Sequence, residues 1–397
     1  MQGKVKEMQE KRKVYLDYSA TTPVKKEVLE AMLPFFSENF GNPSSLYALG
    51  QDSKNAIQDA RAQIAGLIGA NAPEVIFTGS GTEADNWAVI GAAIWKRNKG
   101  RHIIMSAIEH HALLHSGRYL EKEGFEVAYL PVDAKGFVLP EVLKSALRDD
   151  TAIVSIMFAN NEIGTVQPIA ELCGIAHERG ALFHTDAVQA LGNAPIDVKK
   201  LGVDFLSMSA HKIYGPKGVG ALYIKKGVNL PTYMHGGGQE SGKRAGTENV
   251  AGIVGFGKAA ELAMQNLDSH IANVSGLRDY FLKRILGEIK DIRVNGDLEY
   301  RLPGNINITF KYIEGEAILL LLDMEGISVS TGSACSSASL DPSHVLLAIG
   351  VPVEEIHGSI RFTVGDFTTK EDLDYTVEKL KAVTDKLRSI SALSGDK

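Results

Sequence analysis

Five short apolar runs of the chain each lead into side chains that can bind or react. These polar endings are residues 78–83, 108–111, 160–162, 184–189 and 207–212. They contain a lysine, carboxylates, histidines, amides and hydroxyls. Because the carboxyl ends of parallel strands meet at one edge of a sheet, we expect these side chains to converge on a single site.

The residue types at this edge match the needs of a pyridoxal phosphate site. Such a site requires a lysine for a Schiff base and a carboxylate against the pyridine nitrogen, and we assign these parts to Lys212 and Asp186. Backbone amides at a helix N-terminus bind phosphate well. The remaining candidates are Gly81, Thr82, Ser209 and His211 for the phosphate, His110 for stacking on the ring, and Asn161 and Gln189 for its O3′ oxygen.

Each of these residues also has an ordinary explanation. A strand-end aspartate such as Asp186 is often only a helix N-cap, and a lysine such as Lys212 is usually a solvated charge. His110 and His111 could be surface histidines. The joint placement of all these residues at one sheet edge favours the cofactor site.

A second motif offers an alternative cofactor. Residues 79–84 fit the pattern G-x-G-x-x-A of a dinucleotide-binding loop between a strand and a helix. In that fold an acidic residue follows about 20 residues later, whereas Glu109 lies 30 residues after Gly79. An NAD-dependent oxidoreductase therefore stays an alternative, although the phosphate loop of a different cofactor explains the glycines as well.

Cys335 is one of two cysteines in the chain, and it lies among small and polar side chains in residues 328–339. A structural cysteine normally has apolar neighbours, as Cys173 has in the helical pattern of residues 170–176. We therefore predict that Cys173 is a core residue. Cys335 is predicted to be a thiol that must be reached or must travel.

The elements that position these residues follow from the hydrophobic pattern. Apolar runs alternate with helical patterns, which predicts an α/β fold with a mostly parallel sheet covered on both faces. The candidate strands are residues 74–78, 102–106, 127–130, 153–157, 181–185 and 205–208, and candidate helices include 83–96 and 168–179.

The pattern changes after about residue 260. A long helical pattern at residues 250–286 is followed by strand-like runs at 305–310 and 358–362 and by helices at 315–324 and 369–390. This predicts a smaller α+β domain. We expect a large domain of residues 14–260 and a small domain of residues 261–397, which carries the Cys335 segment, with an N-terminal extension of residues 1–13.

Composition bounds the function class. The 397 residues are 44% hydrophobic with a formal net charge of −6, so neither nucleic acid nor an anionic membrane surface is an expected partner. No apolar run approaches the roughly 20 residues of a membrane span, and the charged start does not resemble a secretory signal. Two cysteines cannot form a disulfide framework, which favours a reducing compartment and a cytoplasmic location.

Several of these motifs, in the same order along the chain, resemble the cysteine desulfurases of the NifS/IscS type. The similarity extends from about residue 14 to residue 388. It is carried by the segments at residues 16–23, 41–45, 185–189, 209–212, 235–240 and 330–337.

The resemblance implies a fold-type I enzyme of the class V aminotransferase family, with pyridoxal phosphate and a homodimeric structure. It implies that Thr247 reaches the phosphate of the partner subunit, that Arg361 binds the substrate carboxylate and Asn161 also binds the substrate, and that His110 transfers protons. The implied reaction converts L-cysteine to L-alanine and leaves a persulfide on Cys335.

The implied partner is an iron–sulfur scaffold or another sulfur-acceptor protein. No metal site belonging to the chain itself is expected, although the resemblance allows Cys335 to help ligate a 2Fe–2S cluster on a scaffold. Two neighbouring functions stay open, namely a selenocysteine or cystine lyase and a fold-type I aminotransferase, which would not require Cys335.

Overall fold

The computed structural model describes residues 12–331 and 342–391. Its strands are β1 Val14–Tyr15, β2 Val75–Thr78, β3 His102–Ser106, β4 Glu126–Leu130, β5 Thr151–Ser155, β6 Leu182–Asp186, β7 Phe205–Ser209, β8 Gly220–Ile224, β9 Ile292–Val294, β10 Asn305–Phe310, β11 Ile327–Ser328, β12 Ser330–Thr331 and β13 Ser359–Thr363. Its helices are α1 Lys26–Met32, α2 Pro34–Ser37, α3 Ala48–Leu67, α4 Gly81–Lys96, α5 His111–Lys122, α6 Pro140–Ala146, α7 Ile169–Glu178, α8 Val198–Leu201, α9 Val250–Glu288, α10 Gly315–Met324, α11 His344–Ala348, α12 Val353–Ile356 and α13 Lys370–Ile390.

Within the described ranges, the largest sheet has seven strands in the order β2-β8-β7-β6-β5-β3-β4. Strands β7, β6, β5, β3 and β4 pair in parallel, and β8 runs antiparallel to both of its neighbours. These strands are buried on both faces, except for the more exposed edge strand β4. The predicted α/β fold with a mostly parallel sheet is confirmed.

Two hydrophobic clusters cover the two faces of this sheet. One includes Phe183, Leu206 and Phe256, and the other includes Trp87 and Phe205. Successive side chains of a strand point to opposite faces, so Leu206 and Phe205 contribute to different clusters. The sheet is therefore rigidly packed, and its carboxyl edge is a stable platform for side chains.

A second sheet has the order β12-β13-β10-β9, with antiparallel pairing throughout. A separate core cluster, which includes Phe281, Phe310 and Phe362, lies against it. The start of the described chain belongs to the same cluster, since Val14 and Leu16 are buried there and β1 pairs with β11. The first described residues therefore pack against the core formed by the C-terminal part of the chain.

Helix α9 joins the two cores. Its first part contributes Ala259 and Ala260 to the sheet cluster, and its later part contributes Val274 and Phe281 to the second cluster. The division between residues 260 and 261 stays a prediction. No helix in residues 12–331 or 342–391 is long and apolar enough to cross a membrane.

Candidate active site

A cavity of about 550 Å³ opens at the carboxyl edge of the large sheet. The strands β2, β3, β5, β6 and β7 all end at this edge. The predicted site residues that line the cavity are Gly81, Thr82, His110, Asn161, Asp186, Gln189, Ser209, His211, Lys212 and Arg361. Thr247 is exposed and does not line the cavity of its own protomer. Cys335 lies outside the described residues.

Lys212 ends the short 3-10 turn Ala210–Lys212, which follows β7 directly. Its Nζ donates hydrogen bonds to the carbonyl oxygens of Ala20, at 2.8 Å, and of Ser19. A lysine held at a strand end by backbone carbonyls is directed into the cavity. This geometry suits an amine that forms a covalent bond with a bound aldehyde.

Asp186 is the last residue of β6 and is 6% exposed. Its Oδ1 accepts a hydrogen bond from the backbone N–H of Val188 at 2.9 Å. Burial raises the pKa of Asp186 to about 6, against the opposing effects of this bond and of the Lys212 charge. A bound cation such as a pyridinium would lower it again.

The N-terminus of α4 forms a cradle for an anion on the same edge. Ser80 caps the helix, because its Oγ accepts from the backbone N–H of Glu83 at 3.1 Å. A Cβ on Gly81 would lie 2.7 Å from Cγ2 of Val188, so only glycine lets this backbone approach the cavity so closely. The amides and partial positive charge of the first turn suit a phosphate group.

His110 is the N-cap of α5, and its Nδ1 accepts a hydrogen bond from the backbone N–H of Ala112 at 3.1 Å. Burial lowers the pKa of His110, and the charges of Lys212 and His115 act in the same direction. A neutral ring whose Nδ1 is an acceptor carries its proton on Nε2. His110 is therefore a neutral imidazole with a defined tautomer.

Arg361 lies on β13 and is 3% exposed. Its Nη1 donates to the carbonyl oxygen of Asn161 at 3.0 Å, and its Nη2 forms a 2.8 Å ion pair with Oδ1 of Asp17. Its buried Nε has no hydrogen-bond partner among the described residues. The guanidinium therefore has one donor that no described residue satisfies, and the residue itself lines the cavity.

Three buried carboxyl groups at or beside the cavity have no role in the pyridoxal phosphate site predicted from the sequence, namely Asp85, Glu109 and Glu162. Burial is the main cause that raises the pKa of each, to about 8 for Glu109 and about 7 for Glu162. Asp85 follows Gly81 by four residues on α4, and this helical spacing was the available signal. Glu109 and Glu162 directly precede and follow the cavity residues His110 and Asn161.

The described residues fit pyridoxal phosphate. A cavity of suitable size holds a lysine, a buried carboxylate, a neutral histidine and a glycine-rich helix N-terminus on one edge. Cys173 is a buried free thiol, which confirms the core prediction, and burial raises its pKa to about 12. No group of three side chains within the described ranges is arranged to hold a metal ion.

Comparison with known proteins supports the same interpretation. The family model described as Aminotransferase class-V matches residues 14–376. A cysteine desulfurase IscS of Dictyoglomus turgidum is 59% identical over 381 residues, which cover 96% of this chain and 97% of that protein. A cysteine desulfurase IscS of Clostridium botulinum is 56% identical over 387 residues, with 97% and 98% coverage. A solved NifS-like protein is 38% identical with a TM-score of 0.90, and covers 95% of this chain and 100% of that chain.

Proposed function

This chain belongs to the aminotransferase class-V family and resembles its IscS-type members over nearly its whole length, and from that membership we propose the following function. The protein is a pyridoxal phosphate-dependent cysteine desulfurase. It removes sulfur from L-cysteine, releases L-alanine and holds the sulfur as a persulfide on Cys335. The observation that carries the proposal is the convergence of Lys212, Asp186 and Arg361 on one cavity.

Lys212 and Asp186 act at opposite ends of the cofactor. The cofactor, when bound, supplies an electron sink that stabilises negative charge at the substrate Cα. Lys212 would hold the cofactor through its aldehyde, and its amine is placed to take a proton from the substrate Cα. Asp186 would keep the pyridine nitrogen protonated. Gly81, Thr82, Ser209 and His211 would bind the phosphate, and Asn161 and Gln189 would lie on the O3′ side.

Arg361 and Asn161 bind the substrate carboxylate. Arg361 lines the cavity, and its buried Nε has no hydrogen-bond partner among the described residues. A buried donor of this kind is costly unless a ligand satisfies it. The carboxylate of L-cysteine supplies the acceptor. This contact orients the amino acid so that its Cα faces Lys212.

Cys335 receives the sulfur. Its thiolate attacks the sulfur of the substrate, a new S–S bond forms, and the bond between that sulfur and Cβ breaks. The electron pair of the broken bond stays with Cβ, which takes up a proton and becomes the methyl group of L-alanine. Strand β12 supports this role because it ends at Thr331, four residues before Cys335, and Ser330 pairs with Arg361. Four residues of chain span at most roughly 14 Å, which limits how far Cys335 can be from the end of β12.

His110 moves the proton that this step requires. A thiol is mostly protonated at neutral pH, so the thiolate needs a nearby acceptor. His110 is neutral and lines the cavity, which makes it available at physiological pH. Its Nδ1 accepts from Ala112, so exchange with the cavity takes place at Nε2.

We further propose that the enzyme is a homodimer in which Thr247 reaches the phosphate in the partner subunit. Two observations support this arrangement. Thr247 is exposed in the protomer, and a run of large apolar side chains on and after α1 faces solvent, including Leu33, Phe36 and Phe40. Exposed apolar side chains in such numbers commonly mark a protein interface.

The sulfur acceptor completes the proposal. A persulfide must be passed to a second protein, and we propose an iron–sulfur scaffold or another sulfur-acceptor protein, with Cys335 as the donor. A cytoplasmic location fits this chemistry, because reducing conditions keep Cys335 as a free thiol between turnovers.

The test is product analysis with competing substrates. Purified protein loaded with pyridoxal phosphate should convert L-cysteine to L-alanine and sulfide in the presence of a reductant. Faster turnover of selenocysteine or cystine would assign the alternative lyase function. Transamination of L-cysteine without sulfide release would instead indicate an aminotransferase.

A further inference from the structure

Asp17 forms an ion pair with Arg361, the residue that binds the substrate carboxylate in the proposed function. Its Oδ1 lies 2.8 Å from Nη2 of Arg361, and the two side chains are 17% and 3% exposed. The positions of both are fixed by the backbone. Asp17 bridges to Thr363, two residues along the strand from Arg361, and the hydroxyl of Tyr15 donates to the Asp17 carbonyl at 2.9 Å.

The contacts of Arg361 define what a substrate can use. Nη1 donates to the carbonyl of Asn161, and Nη2 donates to Asp17. Nε has no partner among the residues that the structure describes. An incoming carboxylate would therefore share Nη2 with Asp17, whereas an arginine with no resident carboxylate would offer this donor freely.

The charges lead to the same conclusion. Arg361 and Asp17 form a pair with no net charge before substrate arrives. A second carboxylate brings a net negative charge into a buried environment, and two carboxylates close to each other repel. The free energy gained on binding an α-carboxylate is smaller than for an unpaired arginine.

We propose that Asp17 is an affinity-setting residue, which acts through Arg361 to weaken the binding of every α-amino acid in this cavity. The inference rests on the proposed function, in which Arg361 binds the substrate carboxylate. Its consequence is kinetic: L-alanine, which carries the same carboxylate as L-cysteine, leaves the cavity instead of remaining bound after the sulfur has gone.

The test compares two ligands that differ only in the carboxylate. L-alanine and ethylamine are titrated into the enzyme loaded with pyridoxal phosphate, and dissociation constants are taken from the change in cofactor absorbance. Asp17→Asn should tighten L-alanine binding by about fivefold to tenfold, a modest fraction of a buried charge interaction. The dissociation constant of ethylamine should not change. Asp150→Asn removes an aspartate from an exposed pair with Arg148 and is the matched control.

Unchanged or weaker L-alanine binding in Asp17→Asn would overturn the inference, since Asp17 would then only orient Arg361. Asp17→Ser is a second neutral variant for the case in which Asp17→Asn does not fold. The steady-state readout should agree, with a lower KM for L-cysteine and stronger inhibition by L-alanine.

A double variant separates this inference from the proposed function. Asp17→Asn/Arg361→Gln removes both charges and so leaves no unpaired charge in the protein. If it binds L-alanine as tightly as the wild type does, Arg361 is not the carboxylate site and the proposed substrate contact fails. If the double variant loses affinity and Asp17→Asn gains none, only the role of Asp17 is wrong.

Discussion

Lys212 is the side chain on which the cofactor assignment depends most directly. The cavity also contains Lys217 in its wall, so two amines could in principle react with an aldehyde. Lys212 ends a tight turn after β7 and bonds to the carbonyl oxygens of Ser19 and Ala20, whereas Lys217 is exposed. A directed, partly buried amine is the better covalent partner.

Lys212→Ala should abolish the visible absorbance that a lysine-bound pyridoxal phosphate gives, because no other described amine is directed at the same point. Absorbance spectra of the purified variant, with and without added cofactor, measure this. Lys217→Ala is the control and should keep the band. Loss of the band in Lys217→Ala and its retention in Lys212→Ala would reverse the assignment.

Residue types near strand ends could be predicted from the sequence, whereas their long-range partners could not. Asp186, Lys212 and Ser209 lie at or just after the ends of apolar runs. The hydrophobic pattern of the sequence therefore identifies them. The ion pair of Asp17 with Arg361 joins positions 344 residues apart. No local pattern in the sequence predicts that contact.

Two elements, β2 and α4, form the phosphate cradle at their junction. Gly81→Ala places a methyl group 2.7 Å from Val188, and overpacking must displace the first turn. We expect the dissociation constant of pyridoxal phosphate to rise by about tenfold. Equilibrium dialysis with the cofactor measures it.

Gly174→Ala is the matched control for this substitution. A Cβ at Gly174, inside α7, meets no atom within 4 Å. Alanine has the higher helix propensity, so the variant should gain about 0.5–1 kcal/mol of stability and keep its cofactor affinity. Equal cofactor affinity in both variants would show that the β2–α4 junction does not bind the phosphate.

The N-terminus of helix α11 contacts a buried acid. Oε2 of Glu162 accepts a hydrogen bond from Oγ of Ser343 at 2.6 Å, and Ser343 is the N-cap of α11. Burial raises the pKa of Glu162 from 4.5 to about 7, although the Ser343 bond and the Arg361 charge oppose this. The folded protein therefore keeps a proton on Glu162 at a pH at which the unfolded chain has lost it.

Glu162→Gln should remove a pH-dependent loss of folding stability. Between pH 4.5 and about 7 the folded wild type binds more protons at this site than the unfolded chain, so its stability falls as the pH rises and levels off above the folded pKa. The unfolding free energy of the variant minus that of the wild type should grow across this window by about 2–3 kcal/mol. Urea denaturation at several pH values measures this difference. Glu171→Gln, which changes an exposed side chain of α7, is the control. A difference that does not vary with pH contradicts the burial argument.

About half of the described strands and helices were predicted from periodicity, whereas others, such as α3 and α5, were not. The long helix α9, the buried strand β10 and the parallel strands all show a clear pattern, and their observed bounds differ from the predicted bounds by a few residues. Strand β8 was not predicted. It runs antiparallel beside β7 and follows the glycine- and proline-containing residues 215–218, which indicate a loop.

On the scale of the whole molecule, the exposed apolar side chains at residues 29–47 should form a subunit interface. Leu33→Asp with Phe36→Asp should convert a dimer to monomers in sedimentation velocity experiments, since two buried charges cost more than a moderate interface contributes. Cofactor affinity should fall as well, because Thr247 would no longer reach the partner's phosphate.

Leu286→Asp, at the end of α9, is the control for this prediction. Leu286 is 53% exposed, as Leu33 is, and it lies outside residues 29–47. It should leave the oligomeric state unchanged. A double variant that stays dimeric, with normal cofactor affinity, would contradict the proposed interface.

The position of the transferred sulfur tests the central claim most directly. The loaded enzyme is incubated with L-cysteine without reductant, alkylated, digested and analysed by mass spectrometry, with L-alanine counted in the same sample. We expect one added sulfur atom on the Cys335 peptide, none on the Cys173 peptide, and one L-alanine for each persulfide. Cys335→Ala should keep the cofactor absorbance and form no persulfide. Persulfide on Cys173, or undiminished sulfide release by Cys335→Ala, would contradict the proposed function.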